Sequence, residues 1–216
     1  MLVILDSYLP GIDGGGPITT ISAMDQHLHS KLELFIMCKD RDFGDAEPYP
    51  NINTESWTPV DNSQAKYLKA SQLKWKTYKS VIHEIKPDFI YLNTVFSVRE
   101  VIIPLLVALF SKLKPKVIIA PRGCLDPSAL SLKSKKKQTF LLLLKLSRLP
   151  KKMTWQASTY MEKQFIEQSI GHVPIKVVQN LPLSQPSVLR DQPVKLPGSI
   201  KIIFFSRIAR KNIYSI

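Results

Sequence analysis

The chain has 216 residues, of which 44% are hydrophobic, and it carries 30 Lys and Arg against 17 Asp and Glu, a formal net charge of +13 at pH 7. This length and apolar content suffice for a hydrophobic core and exclude an intrinsically disordered chain. The longest apolar run, residues 101–110, contains Pro104 and falls short of the roughly 18 to 20 residues that a membrane-spanning helix requires.

Short apolar runs alternate along the chain with amphipathic stretches of helical period. Predicted strands cover residues 2–5, 34–38, 88–92, 117–120, 153–156, 175–178 and 200–205. Predicted helices cover residues 17–29, 65–86, 97–113, 128–149 and 159–170. This alternation predicts the α/β class, with a Rossmann-like parallel sheet and helices on both of its faces.

Three glycines and a proline separate the first predicted strand from the first predicted helix. Gly14, Gly15 and Gly16 lack a Cβ, so the backbone can adopt positive φ and a ligand can approach it closely, and Pro17 suits a first helical turn. Such a helix start offers amide donors and a positive dipole end to a phosphate. Tight-turn chemistry alone is the alternative, and the spacing is not the G-x-G-x-x-G of dinucleotide-binding domains.

Residues 40–62 are rich in proline and acid, which predicts a surface loop. Asp40 and Asp42 have an Asp-x-Asp spacing, by which some enzymes hold a divalent metal and a diphosphate. The pattern is common in acidic loops, so we expect solvated carboxylates here and no metal. His27 and His29 lie two residues apart and therefore on different faces of a helix, which argues against a zinc pair.

The two cysteines, Cys38 and Cys124, are far apart in sequence and do not indicate a disulfide framework. Cys124 has no evident histidine partner, so we do not expect it to be a nucleophile. The N-terminus lacks a basic region followed by an apolar one, as a signal peptide would have. Together these features predict a cytoplasmic protein.

The carboxyl ends of the predicted strands hold three candidate ligand-binding segments, the Gly14 loop, residues 93–97 and residues 121–126, because parallel sheets bind ligands at that edge. Two helix starts carry capping-box pairs, Ser97 with Glu100 and Thr159 with Glu162.

A basic stretch without acid covers residues 131–152. Its cations are Lys133, Lys135, Lys136, Lys137, Lys145, Arg148, Lys151 and Lys152. Interspersed leucines predict a helix with one buried face and one cationic face, and we expect Lys135, Lys136 and Lys137 to contact an anionic membrane surface. An ordinary solvated face is the alternative. The net charge is compatible with nucleic-acid binding, but the sequence contains no nucleic-acid recognition motif.

Residues 181–199 contain Pro182, Pro186, Pro193, Pro197 and Gly198 and show no strand or helix period, which predicts a linker. An apolar strand over residues 200–205 follows, with a basic cluster behind it. We therefore predict a first domain over residues 1–180, a linker over 181–199, and the first strand of a missing second domain over 200–216.

Five segments, in order along the chain, resemble motifs of the retaining GT-B glycosyltransferases of the group 1 class. They are Leu9-Pro-Gly-Ile-Asp-Gly-Gly-Gly-Pro17, Lys86-Pro-Asp-Phe-Ile-Tyr-Leu-Asn-Thr94, Ala120-Pro-Arg-Gly-Cys-Leu125, Ala157-Ser-Thr-Tyr-Met-Glu162, and Ile202-Ile-Phe-Phe-Ser-Arg207 with Lys211-Asn212. The resemblance implies a fold of two Rossmann-like domains that face each other across a cleft, the first binding mainly acceptor and the second mainly donor.

The resemblance also implies roles for individual residues. Gly15 and Gly16 approach the donor diphosphate, which Arg207 and Lys211 neutralise as it leaves, with Arg210 as a rival to the lysine. On the acceptor side the implied residues are Asn93, Arg122 and Gly123. Arg122 stands where many relatives carry a histidine, and its implied contact is either the acceptor or the diphosphate.

The implied function is transfer of a sugar from a nucleotide diphosphate sugar to a saccharide or lipid-linked acceptor in bacterial surface polysaccharide synthesis, without a cofactor or metal. The two glutamates that hold the donor in the family's second domain are missing, so we expect a truncated chain that is inactive by itself. The alternatives are a non-catalytic acceptor-binding module that needs a separate donor domain and a basic nucleic-acid-binding protein.

Overall fold

Eight strands form one sheet in the computed structural model, which describes residues 1–42, 44–54, 56–132 and 134–184. The strands are β1 (Leu2–Ile4), β2 (Phe35–Lys39), β3 (Thr58–Val60), β4 (Ser63–Leu68), β5 (Phe89–Leu92), β6 (Lys116–Ile119), β7 (Thr154–Ala157) and β8 (Ile175–Val177). Their order is β3-β4-β2-β1-β5-β6-β7-β8, and every pair is parallel except β3 with β4.

Helices follow β1, β4, β5, β6 and β7 along the chain. They are α1 (Gly16–Leu28), α2 (Trp75–Ile85), α3 (Ile103–Phe110), α4 (Pro127–Ser131), α5 (Ser134–Leu146) and α6 (Tyr160–Ile170). A π-helical turn, Val98–Ile102, runs directly into α3, and short 3-10 turns cover Ala70–Gln72 and Leu149–Lys152. No helix among these is long and apolar enough to cross a bilayer.

Alternate residues of the strands build a separate core on each face of the sheet. Leu2 and Ile4 of β1 join the larger core, which includes side chains from α2, α3, α5 and α6. Val3 of β1 joins the smaller core, which Ile18 and Ile21 of α1 cover. Trp155, fully buried in the larger core, donates its indole N–H to the Pro150 carbonyl at 3.1 Å. The predicted α/β class, with a mostly parallel Rossmann-like sheet, is confirmed.

The helix predicted over residues 65–86 is wrong in its first half. Ser63–Leu68 is β4, in which Ala65 and Tyr67 are buried in the smaller core, while Gln64 and Lys66, which alternate with them, are only partly buried. This period of two is that of a half-buried strand. The helix begins only at Trp75.

The surface loop predicted over residues 40–62 is also wrong at its end, where Thr58–Val60 forms the antiparallel strand β3. Val60 pairs with Ser63 across a two-residue turn in which Asp61 has φ 50°. Tight hairpin turns of this length favour positive φ, which aspartate tolerates better than most residues.

Two other predicted helices are shorter than expected. The basic stretch predicted as one helix over residues 128–149 contains α4 and α5, and the one predicted over 97–113 ends with α3 at Phe110. The predicted strand over 200–205, the residues Arg207, Arg210 and Lys211, and the linker beyond residue 184 lie outside the described residues.

Both predicted N-caps form. Ser97 Oγ accepts from the Glu100 amide at 3.1 Å, and Thr159 Oγ1 accepts from the Glu162 amide at 3.1 Å. The carboxylate of Glu100 contacts Lys39, and that of Glu162 accepts from the Ser158 amide. Both carboxylates therefore lie near the loops at the carboxyl edge of the sheet.

Candidate functional site

The strand order reverses between β1 and β5, which are neighbours in the sheet although the chain visits three other strands between them. Connections from β1 proceed towards one edge of the sheet and those from β5 towards the other. Open α/β sheets bind ligands in the crevice at such a switch point, outside the carboxyl ends of the strands. The loops after β1, β5 and β6 meet here, and the strand spacing places the outer two about 10 Å apart.

The glycine loop after β1 leads into α1 without a side-chain cap. Gly15, at the N-cap, has φ 58° and ψ −127°, and the first turn of α1 contains no acidic residue. A Cβ on Gly14 would lie 2.5 Å from Ser7 Oγ and 2.6 Å from Ile18 Cδ1, whereas one on Gly16 would meet no atom within 4 Å. Gly14 is therefore required for packing and Gly15 for its backbone conformation, while Gly16 leaves the start of the helix open to a ligand.

Asp42 anchors this loop from the end of the neighbouring strand β2. Its carboxylate accepts from the Ile12 amide at 2.9 Å, the Asp13 amide at 3.2 Å and the Tyr49 hydroxyl at 2.8 Å. Burial raises the pKa of Asp42, but the hydrogen bonds from Ile12, Tyr49 and Asp13 together hold that pKa below its ordinary value. The carboxylate is therefore ionised at neutral pH.

The prediction of solvated carboxylates in this segment is wrong. Asp42 is 7% exposed and Asp40 is 1% exposed, with Asp40 paired to the neighbouring Arg41 at 2.8 Å. Asp42 is a structural anchor because its lone pairs face backbone donors of the glycine loop. Within the described part of the chain no group of three or more His, Cys, Asp or Glu side chains is arranged to hold a metal.

Arg122, in the loop after β6, is the central cation of the crevice. Its Nε donates to Asn93 Oδ1 at 2.7 Å, its Nη2 donates to the Tyr91 hydroxyl at 2.7 Å, and its Nη1 donates to Asn180 Oδ1. A guanidinium has five N–H donors, so these contacts fix its plane and leave donors for an anion. The Tyr91 hydroxyl donates in turn to Gln156 Oε1 at 2.6 Å.

Two side chains of this network, Tyr91 and Asn93, are strongly affected by their burial. Burial raises the pKa of Tyr91 more than the nearby Arg122 lowers it, so the phenol stays neutral and donates. Asn93 is 4% exposed, and its Nδ2 finds no hydrogen-bond partner among the residues that the structure describes. A buried amide donor without a partner is costly, and it marks a position where a ligand or water oxygen fits.

Glu162 at the start of α6 holds the loop that carries Arg122. Its carboxylate accepts from the Gly123 amide at 2.8 Å, the Ser158 amide at 2.7 Å and the Ser158 hydroxyl at 2.7 Å. Arg122 and Gly123 both have positive φ, 54° and 73°. Glu162 of α6 therefore helps to maintain the backbone conformation that directs Arg122 into the crevice.

A second ionic cluster lies at the same edge of the sheet. Lys39, the last residue of β2, contacts Asp6, which follows β1, and Glu100 of the π-helical turn at 3.1 Å. Burial and the Asp6 carboxylate raise the pKa of Glu100, although Lys39 opposes them. Sequence reasoning missed these residues; the only available signal was that Asp6 and Lys39 stand at the carboxyl ends of strands.

The predicted site residues that the structure describes lie in two regions, the switch point and helix α5. Gly15, Gly16, Asn93, Arg122 and Gly123 lie in the three loops that meet at the switch point. The predicted donor-side cations, Arg207 and Lys211, lie outside the described residues.

The three lysines predicted to face a membrane are on α5, far along the chain from the glycine loop. Lys135 and Lys136 are exposed. Lys137 instead lies 5.3 Å over the Phe96 ring and donates to the Ala129 carbonyl, so it faces the protein.

The chain matches no protein-family model and no curated protein sequence. The assignment of a function therefore depends on the motifs and on the geometry of the crevice. The crevice combines an uncapped helix start, an arginine, and an Asn93 amide that has no partner among the described residues, and groups of this kind are suited to an anion.

Proposed function

We propose that this chain is the acceptor-side half of a retaining glycosyltransferase, which moves a sugar from a nucleotide diphosphate sugar to a saccharide or lipid-linked acceptor. The observation that supports the proposal best is the pairing of Arg122 and Asn93 beside the open start of α1 at the switch point. The motif resemblance supplies the reaction, and this pairing supplies a location for its anionic donor.

In this proposal the crevice binds the donor diphosphate between two kinds of positive charge. The first-turn amides of α1 contact one phosphate group and the Arg122 guanidinium contacts the other. As the bond from the sugar to the diphosphate breaks, negative charge grows on the leaving oxygen. Preorganised donors therefore stabilise the transition state, which carries this charge, more strongly than they stabilise the ground state. Asn93 Nδ2 then donates to a hydroxyl of the acceptor, and Tyr91 keeps the Arg122 plane fixed. The motif resemblance alone assigns Arg207 and Lys211 as the donor-side cations.

Replacement of Arg122 by methionine tests the anion site directly. Inorganic pyrophosphate and UDP are the probes, and isothermal titration calorimetry is the measurement. We expect the variant to bind both at least about tenfold more weakly, because a charge-assisted hydrogen bond is worth about 1.5 to 3 kcal/mol.

The matched control is Arg148→Met, which removes an exposed arginine from the loop after α5. It lowers the net charge equally, so its affinity for pyrophosphate should match that of the unchanged protein. Equal losses in both variants would mean that the chain attracts anions only through its total charge. A transfer assay with nucleotide sugars and a cell lipid extract should show no turnover by this chain alone, and robust turnover would show that no separate donor domain is required.

We also propose that α5 lies on an anionic membrane surface during this reaction. Leu142, Leu143 and Leu146 are 57%, 62% and 70% exposed, and the exposed Lys135 and Lys136 stand on the same helix. Exposed leucines beside lysines are typical of helices that lie in the membrane interface. Lys137 is not part of this surface, because its ammonium lies against Phe96.

Replacement of Lys135 and Lys136 by glutamine should weaken binding to phosphatidylglycerol-containing vesicles, measured by sedimentation, by about thirtyfold, since each basic residue near such a surface contributes about 1 kcal/mol. Binding of the unchanged protein should also fall as salt rises, because charges are screened over about 10 Å at 0.1 M salt. The matched control, Lys31→Gln with Lys176→Gln, removes two exposed lysines from other elements. Identical sedimentation of the two double variants would show that the cationic face of α5 is an ordinary solvated face without a role in membrane binding.

A further inference from the structure

A groove of about 810 Å³ lies between α2 and the C-terminal end of α3, in the helical layer and not at the carboxyl edge of the sheet. Its apolar lining consists of Trp75, Ile82, Val107, Phe110 and Leu113. Sites for small molecules commonly occupy about 300 to 1,000 Å³. The groove is therefore large enough for a ligand of that class.

The aromatic walls of this groove are unusually open to solvent. Phe110 is 76% exposed, Leu113 is 44% exposed and Trp75 is 43% exposed, and the rings of Trp75 and Phe110 lie 6.1 Å apart at a tilt of 46°. Large apolar side chains that are grouped together and exposed mark binding surfaces more often than isolated ones do. Neither ring is needed to fill the core, since other side chains supply the buried faces of α2 and α3.

The polar rim of the groove is cationic. Lys76, Lys79 and Lys112 line it together with His83, Ser80 and Ser111, and no acidic residue contributes to the lining. The three lysines are exposed, and none of them belongs to the salt bridges of the part of the chain that the structure describes. An occupant that satisfies both the walls and the rim needs an apolar body and a negative head.

We propose that the groove binds one molecule of an anionic, single-chain phospholipid. The acyl chain lies between Trp75 and Phe110, over Ile82 and Val107, and the phosphate contacts Lys76, Lys79 and Lys112. This site is separate from the crevice and does not depend on sugar transfer. Charge complementarity favours a lipid phosphate over a zwitterionic headgroup, and the concave lining favours a single acyl chain over the flat face of a bilayer.

Trp75 provides the readout for a titration with lysophosphatidic acid below its critical micelle concentration. Trp155 is fully buried and Trp57 donates to Glu84 at 3.0 Å, so Trp75 is the tryptophan that a ligand in the groove contacts. We expect a saturable blue shift of the emission, which Trp75→Phe abolishes. Lysophosphatidylcholine of the same chain length, which has no net charge, should bind about tenfold more weakly.

Two variants separate the headgroup contact from the apolar contact. Lys76→Gln, Lys79→Gln and Lys112→Gln combined should lower the affinity for lysophosphatidic acid about tenfold and leave that for lysophosphatidylcholine unchanged. Phe110→Ser should weaken both lipids. The matched control is Lys31→Gln with Lys176→Gln, which should bind both lipids as the unchanged protein does. All of these side chains are exposed, so the thermal midpoints should agree, and they are measured on the same samples.

Three outcomes contradict the proposal. Equal affinity for the two lipids would remove the role of the lysines. Binding to vesicles without binding to monomeric lipid would make the groove part of a membrane-contacting face. A shift of Trp75 emission by an acidic amphipathic peptide, with none by lysophosphatidic acid, would make it a protein-docking site.

Discussion

Replacement of Asp42 by alanine should lower the free energy of unfolding by about 3 kcal/mol. The substitution removes a carboxylate that is 7% exposed and leaves the Ile12 amide, the Asp13 amide and the Tyr49 hydroxyl without their acceptor. Unpaired donors at partly buried positions cost more than the net value of the bonds that they lose. Urea-induced unfolding, followed by circular dichroism at neutral pH, measures the difference.

Acid should remove the same stabilisation from the unchanged protein. The pKa of Asp42 lies below its ordinary value of 3.8 in the folded chain, so its contribution is complete above that pH and is lost as the pH falls through the lower folded value. The gap in stability between Asp42→Ala and the unchanged protein should therefore narrow below pH 3.8. The exposed Glu47 of the same segment provides the control, and Glu47→Ala should change the stability by less than about 0.5 kcal/mol. Equal unfolding curves for the two variants would show that Asp42 does not anchor the loop.

Replacement of Glu162 by alanine should cost a similar amount, about 3 kcal/mol, because three donors converge on its carboxylate. The variant should also bind pyrophosphate more weakly, since the Gly123 amide is released and the positive φ of Arg122 is no longer held. A purely structural residue would lower stability without this second effect at temperatures where the variant stays folded.

The same helix supplies the control for Glu162. Glu167 is exposed and pairs with Lys163 at 3.7 Å one turn away, so Glu167→Ala should cost less than about 0.5 kcal/mol. Glu162→Gln tests more finely whether both carboxylate oxygens are required as acceptors. The glutamine side chain keeps one acceptor oxygen, but its NH2 group faces at least one of the N–H or O–H groups that donate to the carboxylate. It should therefore fall between the other two variants in stability. Wild-type pyrophosphate affinity in Glu162→Ala would contradict the positioning role.

Local pattern was sufficient to predict most of the sheet and the loops at its carboxyl edge. The runs at β1, β2 and β5 to β8 are apolar and short, and glycines or prolines punctuate the connections, so their elements follow from neighbours in sequence. The positions of Gly15, Asn93 and Arg122 at the carboxyl edge were predictable for the same reason, since each follows the end of a strand.

The partners that hold those loops could not be predicted in this way. Asp42 meets the Ile12 amide across thirty residues, and Glu162 meets the Gly123 amide across thirty-nine. In the sequence, the first belongs to an acidic segment and the second to a capping pair, and both descriptions are locally reasonable. Strand β4 was missed because Ala65 and Lys66 are as compatible with a helix as with a strand until the packing of Tyr67 is known.

The two outermost strands of the described sheet affect how the protein behaves at high concentration. Unpaired backbone groups at a sheet edge are templates for another chain, and short strands, proline and lysine are the features that block such pairing. Strand β3 has three residues with Pro59 at its centre, and β8 has three residues with the exposed Lys176 at its centre. Both borders are therefore poor templates for strand addition, which favours colloidal stability over fibril growth.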